Sequence, residues 1–258
     1  MVVADLHVHT TNSDGQLTLA AVPRAARAAG LEAVAVTDHD RLHPDLAPVA
    51  ERREGVELVH GIELRVEGPA ERVDLLGYGV EPTTDLEREL ERLQRDRVER
   101  GRAIIQNVED RLGVDLDLEP RAGIGRPHVA RATAAVTELT VDDVFAELVG
   151  DDGPCFVARD VPSFERGRDL LADACGLVAL AHPLRYDDPE AAVELCADLD
   201  AVERYYPYGR DVDPAPVESV AERYDLVATG GSDAHDDRLG RAGLDGAGFD
   251  RFRDACGL

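Results

Sequence analysis

The stretch Ala4-Asp5-Leu6-His7-Val8-His9-Thr10-Thr11-Asn12-Ser13-Asp14-Gly15 decides how the rest of the chain is read. Val2, Val3, Ala4 and Leu6 spell a buried strand, and His7 and His9, two apart, put both imidazoles on one side of an extended backbone. Two rings on one side of a strand end form a metal-ligand geometry; a pair of strand histidines satisfied by hydrogen bonds is the plain alternative. The pattern then recurs. Residues 33–36 lead into Thr37-Asp38-His39-Asp40, residues 56–62 end at Glu63, residues 177–181 run into His182-Pro183, and residues 226–229 pass through Gly230-Gly231 into Ser232-Asp233-Ala234-His235. If these strands are parallel, their terminal His, Asp and Glu side chains collect at the carboxyl ends, where barrels and open α/β sheets carry their sites.

Working outward, 258 residues suit one large α/β domain or a barrel with an insertion, with enough chain to bury a substantial core. After Gly15, Thr18 caps a helix through Leu19, Val22, Ala26 and Ala29 that stops at Gly30. The strand that leads to Thr37, a polar loop to Pro44, a short helix to about Arg53 and the strand before Glu63 give a βαβα rhythm. His43 reads as a solvated loop residue and His60 as a core or barrel-lining one. A further extended run covers 73–80, with Asp74 eleven residues after Glu63.

From Thr84 to about Arg111 the apolar residues recur at helical spacing, marking a long amphipathic helix. Pro127 sits where a helix begins, and Thr140 caps another helix near 141–148. No strand is visible from 84 to 160. That span reads as a helical insertion serving as a lid or specificity module, and residues 1–83 and 161–258 as the barrel. Beyond it come helix 163–174, strand 177–181, helix 189–197, strand 201–204 leading into Tyr205-Tyr206-Pro207-Tyr208, helix 214–223, strand 226–229 and a closing helix from Phe249.

The net charge is −25 and the 28 basic residues are all arginine. So acidic a surface suggests a soluble protein adapted to high salt, where self-repulsion is screened. It argues against a long nucleic-acid groove, while a small nucleotide held by metal ions is compatible with it. There is no signal segment and no run of membrane-spanning length, so a cytoplasmic protein is expected. Cys155, Cys175, Cys196 and Cys256 are scattered without a CxxC pair and read as small buried residues; neither disulfides nor thiolate metal sites are expected.

Histidine and carboxylate ligands without cysteine suit Zn, Mn or Fe(II). Nine candidates are too many for one ion, whereas two or three ions sharing a carboxylate would use them. Such a cluster suits in-line attack on phosphorus by a water acidified towards about pH 7. No GxGxxG, P-loop or GxSxG context offers hydride or acyl transfer instead.

His7-Val8-His9, Thr37-Asp38-His39, Glu63, Ala181-His182-Pro183 and Ser232-Asp233-Ala234-His235 resemble the motif regions of the polymerase-and-histidinol-phosphatase (PHP) superfamily. That resemblance implies a distorted (β/α)7 TIM-like barrel with a trinuclear metal site. Ser13-Asp14-Gly15, Gly61-Ile62-Glu63, the stretch from Arg126 to Arg131, and His182-Pro183 followed by Arg185-Tyr186 are similar to the branch of nucleoside 3',5'-bisphosphate phosphatases and 5'-to-3' exoribonucleases of short RNA. By that resemblance His7, His9, Glu63 and Asp233 would hold one ion, Glu63, Asp74 and His182 a second, and Asp14, His39 and His235 a third. Position 74 departs from the pattern, because related sequences often carry His there. Arg126, His128 and Arg185 would contact phosphate, with His128 either protonating the leaving alkoxide or fixing the insertion, and Tyr205 would stack on a base or pack at the rim. The expectation is a metal-dependent phosphoesterase acting on small nucleotides. A histidinol-phosphate phosphatase and a non-catalytic metal-bound accessory module are its rivals.

Overall fold

The structure is a computed structural model describing residues 1–258. The chain divides into two compact units, one formed by residues 1–88 and 161–258, the other by residues 89–160.

The first unit begins with β1 (Ala4–Val8), buried along its whole length. A turn at Thr18 to Ala21 precedes α1 (Val22–Ala28), shorter at its start than the Thr18 cap suggested, with Pro23 in its first turn. β2 (Ala33–Val36) pairs parallel to β1. The short helix expected before residue 53 is instead β3 (Ala50–Arg53), antiparallel to β4 (Val56–Glu67). Glu54 and Gly55 join them at φ 50° and 86°, the left-handed pair that a two-residue hairpin demands.

β4 is longer than expected and carries Glu63 in its interior. Residues 57–60 lie parallel to β2, while residues 61–67 run antiparallel to β5 (Arg72–Tyr78). After the insertion come α5 (Phe164–Ala172), capped by Ser163, and β6 (Leu177–Leu180). β6 pairs antiparallel to β5, so the sheet is not uniformly parallel. A helix over Pro189–Glu194, β7 (Ala201–Tyr205), a helix over Ala215–Tyr224, β8 (Val227–Gly230) and a last helix over Gly246–Cys256 follow.

The sheet runs β1-β2-β4-β5-β6-β7-β8, with β3 paired to β4 outside this path. It curls until residues beyond β8 reach the first strand: Val8 bridges Ala234, and the His9 N–H donates to the Ala234 carbonyl at 3.0 Å. The strands alternate as their period of two requires. Ala33 and Ala35 face one cluster, with Tyr78 and with Phe249 and Phe252 of the last helix; Val34 and Val36 face another, with Val22 and Ala26 of α1. The first cluster pairs small strand alanines with two large rings, Tyr78 and Phe252, edge to face at 5.2 Å.

The second unit is helical. α2 (Thr84–Leu112) runs from the first unit into it, followed by α3 (Arg126–Val136) and α4 (Val141–Val144). Numbered in chain order with these, the helices above at Pro189–Glu194, Ala215–Tyr224 and Gly246–Cys256 are α6, α7 and α8. Thr140 caps α4 by accepting from Asp143 N–H at 3.1 Å. The helix expected to reach 148 widens after Val144, where the Gly150 N–H donates five residues back to Phe145. Ile104, Val108, Ile124, Val129, Val144 and Leu148 form this unit's own core. No helix in the chain is long and apolar enough to cross a membrane.

Candidate metal centre

His7 and His9 reach one side of β1 as the two-residue spacing requires, and both are fully buried. Two glycines press the surrounding backbone onto them. A Cβ on Gly231 would stand 2.3 Å from His7 N, and one on Gly15 would stand 2.2 Å from the His9 carbonyl oxygen. Only glycine fits where Asp14-Gly15 and Gly230-Gly231 pass. His182 and Asp233 hold the left-handed region at φ 29° and 49°, a conformation that costs about 1–3 kcal/mol in a non-glycine residue and clusters at functional sites.

Two buried carboxylates that are not in any ligand group fix the loops. Asp38 accepts from Thr10 N–H, Thr10 Oγ and Ser13 Oγ, each at 2.7 Å, tying the first loop to the end of β2. Asp5 accepts from Ser232 N–H and Gly240 N–H at 2.8 Å and from the Ser232 hydroxyl, tying the last loop to β1.

Three donor groups result, each with its ligand atoms within 4.8 Å of one another: His9, Asp14, His39 and His235; His7, His9 and Glu63; and Glu63, Asp74 and His182. Glu63 stands between them, its Oε2 2.7 Å from His39 Nδ1 and 3.3 Å from His9 Nε2, its Oε1 3.0 Å from His182 Nε2. Asp233 Oδ1 lies 3.2 Å from His9 Nε2 and 3.6 Å from His7 Nε2. The nine residues expected as ligands, His7, His9, Asp14, His39, Glu63, Asp74, His182, Asp233 and His235, therefore converge.

Their environment fits cations. His7 Nε2, both ring nitrogens of His9 and Glu63 Oε2 are buried and, close as the neighbouring rings and carboxylates lie, make no well-aligned hydrogen bond, an arrangement expected where a cation would satisfy them. Burial, then His235 and His39, push the His9 pKa down to about 4, so it is a neutral imidazole at pH 7. Burial raises the Glu63 carboxyl, but His39, His7 and a hydrogen bond from His182 hold it well below the usual carboxylate range. Asp233 is likewise held low, against burial, by His7 and His9. For His7, burial lowers the pKa while Glu203, Glu63 and Asp233 together carry it well above the ordinary value. A proton is drawn to the place a metal ion would take.

The third group departs from the other two. Both oxygens of Asp74 accept from Arg65, Nε to Oδ1 at 2.8 Å and Nη2 to Oδ2 at 2.5 Å, a bidentate fork. Asp74 Oδ2 is still 3.7 Å from His182 Nε2, so the carboxylate of this group faces both a histidine and a guanidinium.

Arg185 is half exposed and its Nη1 donates to Asp233 Oδ2 at 3.0 Å and to Tyr206 Oη at 3.0 Å. Arg126 donates to the Val149 carbonyl at 3.2 Å and meets Asp151 at 2.8 Å. His128 Nδ1 accepts the Gly125 N–H at 3.1 Å, which puts the proton of a neutral ring on Nε2. Tyr205 ends β7 exposed, with Arg204 over its ring at 5.3 Å. Its neighbour Tyr206 is the tyrosine at the metal centre: it donates to Asp233 Oδ2 at 2.8 Å and meets the His182 ring edge to face.

Sequence reading missed Glu203. This fully buried carboxylate accepts the His7 Nδ1–H at 3.0 Å and the His182 N–H at 2.7 Å, and so fixes the tautomer that turns His7 Nε2 inward. The available signal was its place on an otherwise apolar strand. His43, expected in solvent, is 8% exposed and accepts the Asp45 N–H at 3.2 Å.

Comparison with known proteins agrees with this centre. The PHP domain family matches residues 5–142. The phosphoribosyl 1,2-cyclic phosphate 1,2-diphosphodiesterase of Eggerthella lenta is 32% identical over 91% of this chain and 94% of its own length. The 3',5'-nucleoside bisphosphate phosphatase of Chromobacterium violaceum is 28% identical over 91% and 88%. A solved structure from Bifidobacterium adolescentis, described as a metal-dependent phosphoesterase, superposes with a TM-score of 0.80 at 25% identity and covers 98% of this chain and 96% of its own. With these matches and a curled sheet that gathers four histidines around Glu63, the chain belongs to the PHP family of metal-dependent phosphoesterases.

Proposed function

We propose that this phosphoesterase hydrolyses small nucleotide phosphoesters, a nucleoside 3',5'-bisphosphate or a short 5'-phosphorylated RNA, with two divalent ions and Arg65 as a fixed third cation. The observation that carries the proposal is the pairing of two donor groups around His9 and Glu63 with an arginine, Arg185, held at their edge. Bound in those groups, Mn, Zn or Fe would acidify a water and neutralise phosphoryl oxygens.

The chain's own residues do the rest. Arg185 uses only Nη1 on Asp233 and Tyr206, which leaves the remainder of its fork to orient a phosphate. Tyr206 shares the Asp233 oxygen and keeps that carboxylate turned to the centre. On this reading Arg126 binds phosphate, and His128, with its proton on Nε2, donates to a leaving alkoxide. Tyr205 offers an exposed ring for a base. Four free cysteines support a reducing, cytoplasmic setting.

The relative that hydrolyses a cyclic phosphodiester favours a second reading, in which this chain opens a 1,2-cyclic phosphate. Hydrolysis assays with manganese-loaded protein on adenosine 3',5'-bisphosphate, a ribose 1,2-cyclic phosphate and histidinol phosphate separate the possibilities. Turnover of the bisphosphate, lost in His7→Ala, supports the proposal; turnover of the cyclic ester or histidinol phosphate alone overturns it. Metal analysis should give two ions per chain, and a third in the double variant Asp74→His, Arg65→Met. Three ions in the parent protein would refute the role given to Arg65.

A further inference from the structure

The floor beneath the metal centre holds two hydroxyls to which the site described above gives no part. β7 and β8 pair in parallel with Glu203 opposite Thr229, which puts both side chains on the face where Glu203 meets His7. Ala201, two residues before Glu203, shares that face and belongs to one interior cluster with Ala179 of β6 and Tyr78 at the end of β5. Tyr78, Glu203 and Thr229 are all fully buried. Phe252 of α8 meets the Tyr78 ring edge to face at 5.2 Å and so fixes where its hydroxyl lies.

Neither Tyr78 Oη nor Thr229 Oγ1 makes a well-aligned hydrogen bond. A buried hydroxyl in that condition costs free energy, and a buried tyrosine ordinarily finds an acceptor. Burial, then the nearby Glu203 carboxylate, carries the Tyr78 pKa well above its ordinary value near 10, with Thr229 the opposing influence. The phenol is therefore a donor at neutral pH, and its surroundings include both Thr229 and Glu203. Glu203 has acceptor capacity left. Its Oε1 takes the His7 Nδ1–H at 3.0 Å and its Oε2 the His182 N–H at 2.7 Å, whereas a carboxylate offers about four positions. On this face β6 and β7 contribute Ala179 and Ala201, whose side chains end at Cβ. Two hydroxyls and an unsaturated carboxylate among such small side chains suit one water molecule, which takes about two to four polar partners when buried.

We propose that Tyr78 and Thr229 are positioning residues for the metal centre, together holding one buried water molecule against Glu203. The water takes a spare acceptor position of the carboxylate and keeps it turned to the His7 Nδ1–H, so that His7 Nε2 points at the ion. The inference rests on the metal-dependent reading of the centre. It adds a polar layer whose members touch neither metal nor substrate.

The test combines a high-resolution crystal structure of the full chain with calorimetric titration of the metal-free protein by Mn. The structure should show a water within about 2.7–3.2 Å of both hydroxyls and of a Glu203 oxygen, and none there in the double variant Tyr78→Phe, Thr229→Val. Affinity for Mn should fall about 3- to 10-fold in Tyr78→Phe and in Thr229→Val, less than for a group that holds the ligand directly. Tyr78→Phe leaves the ring packed on Phe252, so its effect reports the hydroxyl. The double variant should lose little more than either single one, because both hydroxyls serve one water. Thr229→Ser keeps the hydroxyl and should keep the affinity, which a role confined to packing does not predict. No water at the floor, unchanged Mn affinity in both single variants, or Thr229→Ser as weak as Thr229→Val would each overturn the inference while the parent still binds Mn. A parent that binds no Mn would overturn the metal centre itself and this inference with it.

Discussion

Glu203 shows what one carboxylate can do without touching a metal. Its two oxygens separately hold the His7 ring and the His182 backbone N–H, at 3.0 Å and 2.7 Å. Replacing it by Gln keeps the shape but can leave an amide N–H facing a donor, so metal affinity should fall about 10- to 100-fold. Titration of the metal-free variant with Mn or Zn checks this, and unchanged affinity would argue that His7 needs no such partner. His60 makes a different prediction. It is buried, its Nδ1–H donates to the Ala47 carbonyl at 3.2 Å, and Nε2 has no partner. Burial lowers its pKa from the ordinary value near 6.5. The unfolded chain thus takes up a proton at a pH where the folded one does not. The stability this neutral ring allows is present above about pH 6.5 and is lost as pH falls towards the folded pKa, at up to about 1.4 kcal/mol per pH unit. Melting curves from pH 7 to 5 should fall less steeply in His60→Leu; parallel slopes would remove His60 from the account.

At the level of elements, the curled sheet was legible from strand endings, because apolar runs that stop at His, Asp or Glu mark both a strand and its functional end. Where the reading slipped, tertiary pairing had the deciding role. Glu63 lies inside β4 because residues 61–67 find a second partner in β5, a ladder that no local pattern announces. Residues 50–53 read as helix, yet the positive φ of Glu54 and Gly55 folds them back on β4. Tyr206 and not Tyr205 faces the centre because the register of β7 against β8 shifts between Glu203 and Tyr205, and a one-residue slip exchanges the faces of a strand. The last helix is a clear case of packing from afar: α8 supplies Phe249 and Phe252 to the cluster that also holds strand alanines of β2 and β6. Phe252→Ala should cost about 3–5 kcal/mol, measured by denaturant unfolding. A loss below about 1 kcal/mol would mean that Tyr78 and its neighbours collapse into the space.

Over the whole molecule, a net charge of −25 sets the dependence on salt. Raising monovalent salt from about 0.1 M to about 1 M shortens the screening length from about 10 Å to about 3 Å, so repulsion among exposed carboxylates weakens and the melting temperature should climb. A melting temperature that falls over this range would show that the ion pairs of the surface outweigh its repulsion. The order in which the parts are joined has a further consequence. His7 waits at one end of the chain for Gly231, Ser232 and Asp233 at the other, and the bridge from Val8 to Ala234 spans almost all of the sequence. During synthesis, a nascent chain on the ribosome holds its first histidines long before their counterparts exist. A chain synthesised only as far as β4 already holds the trio of His7, His9 and Glu63, whereas the groups that need His182 or His235 close only when those later segments have folded back.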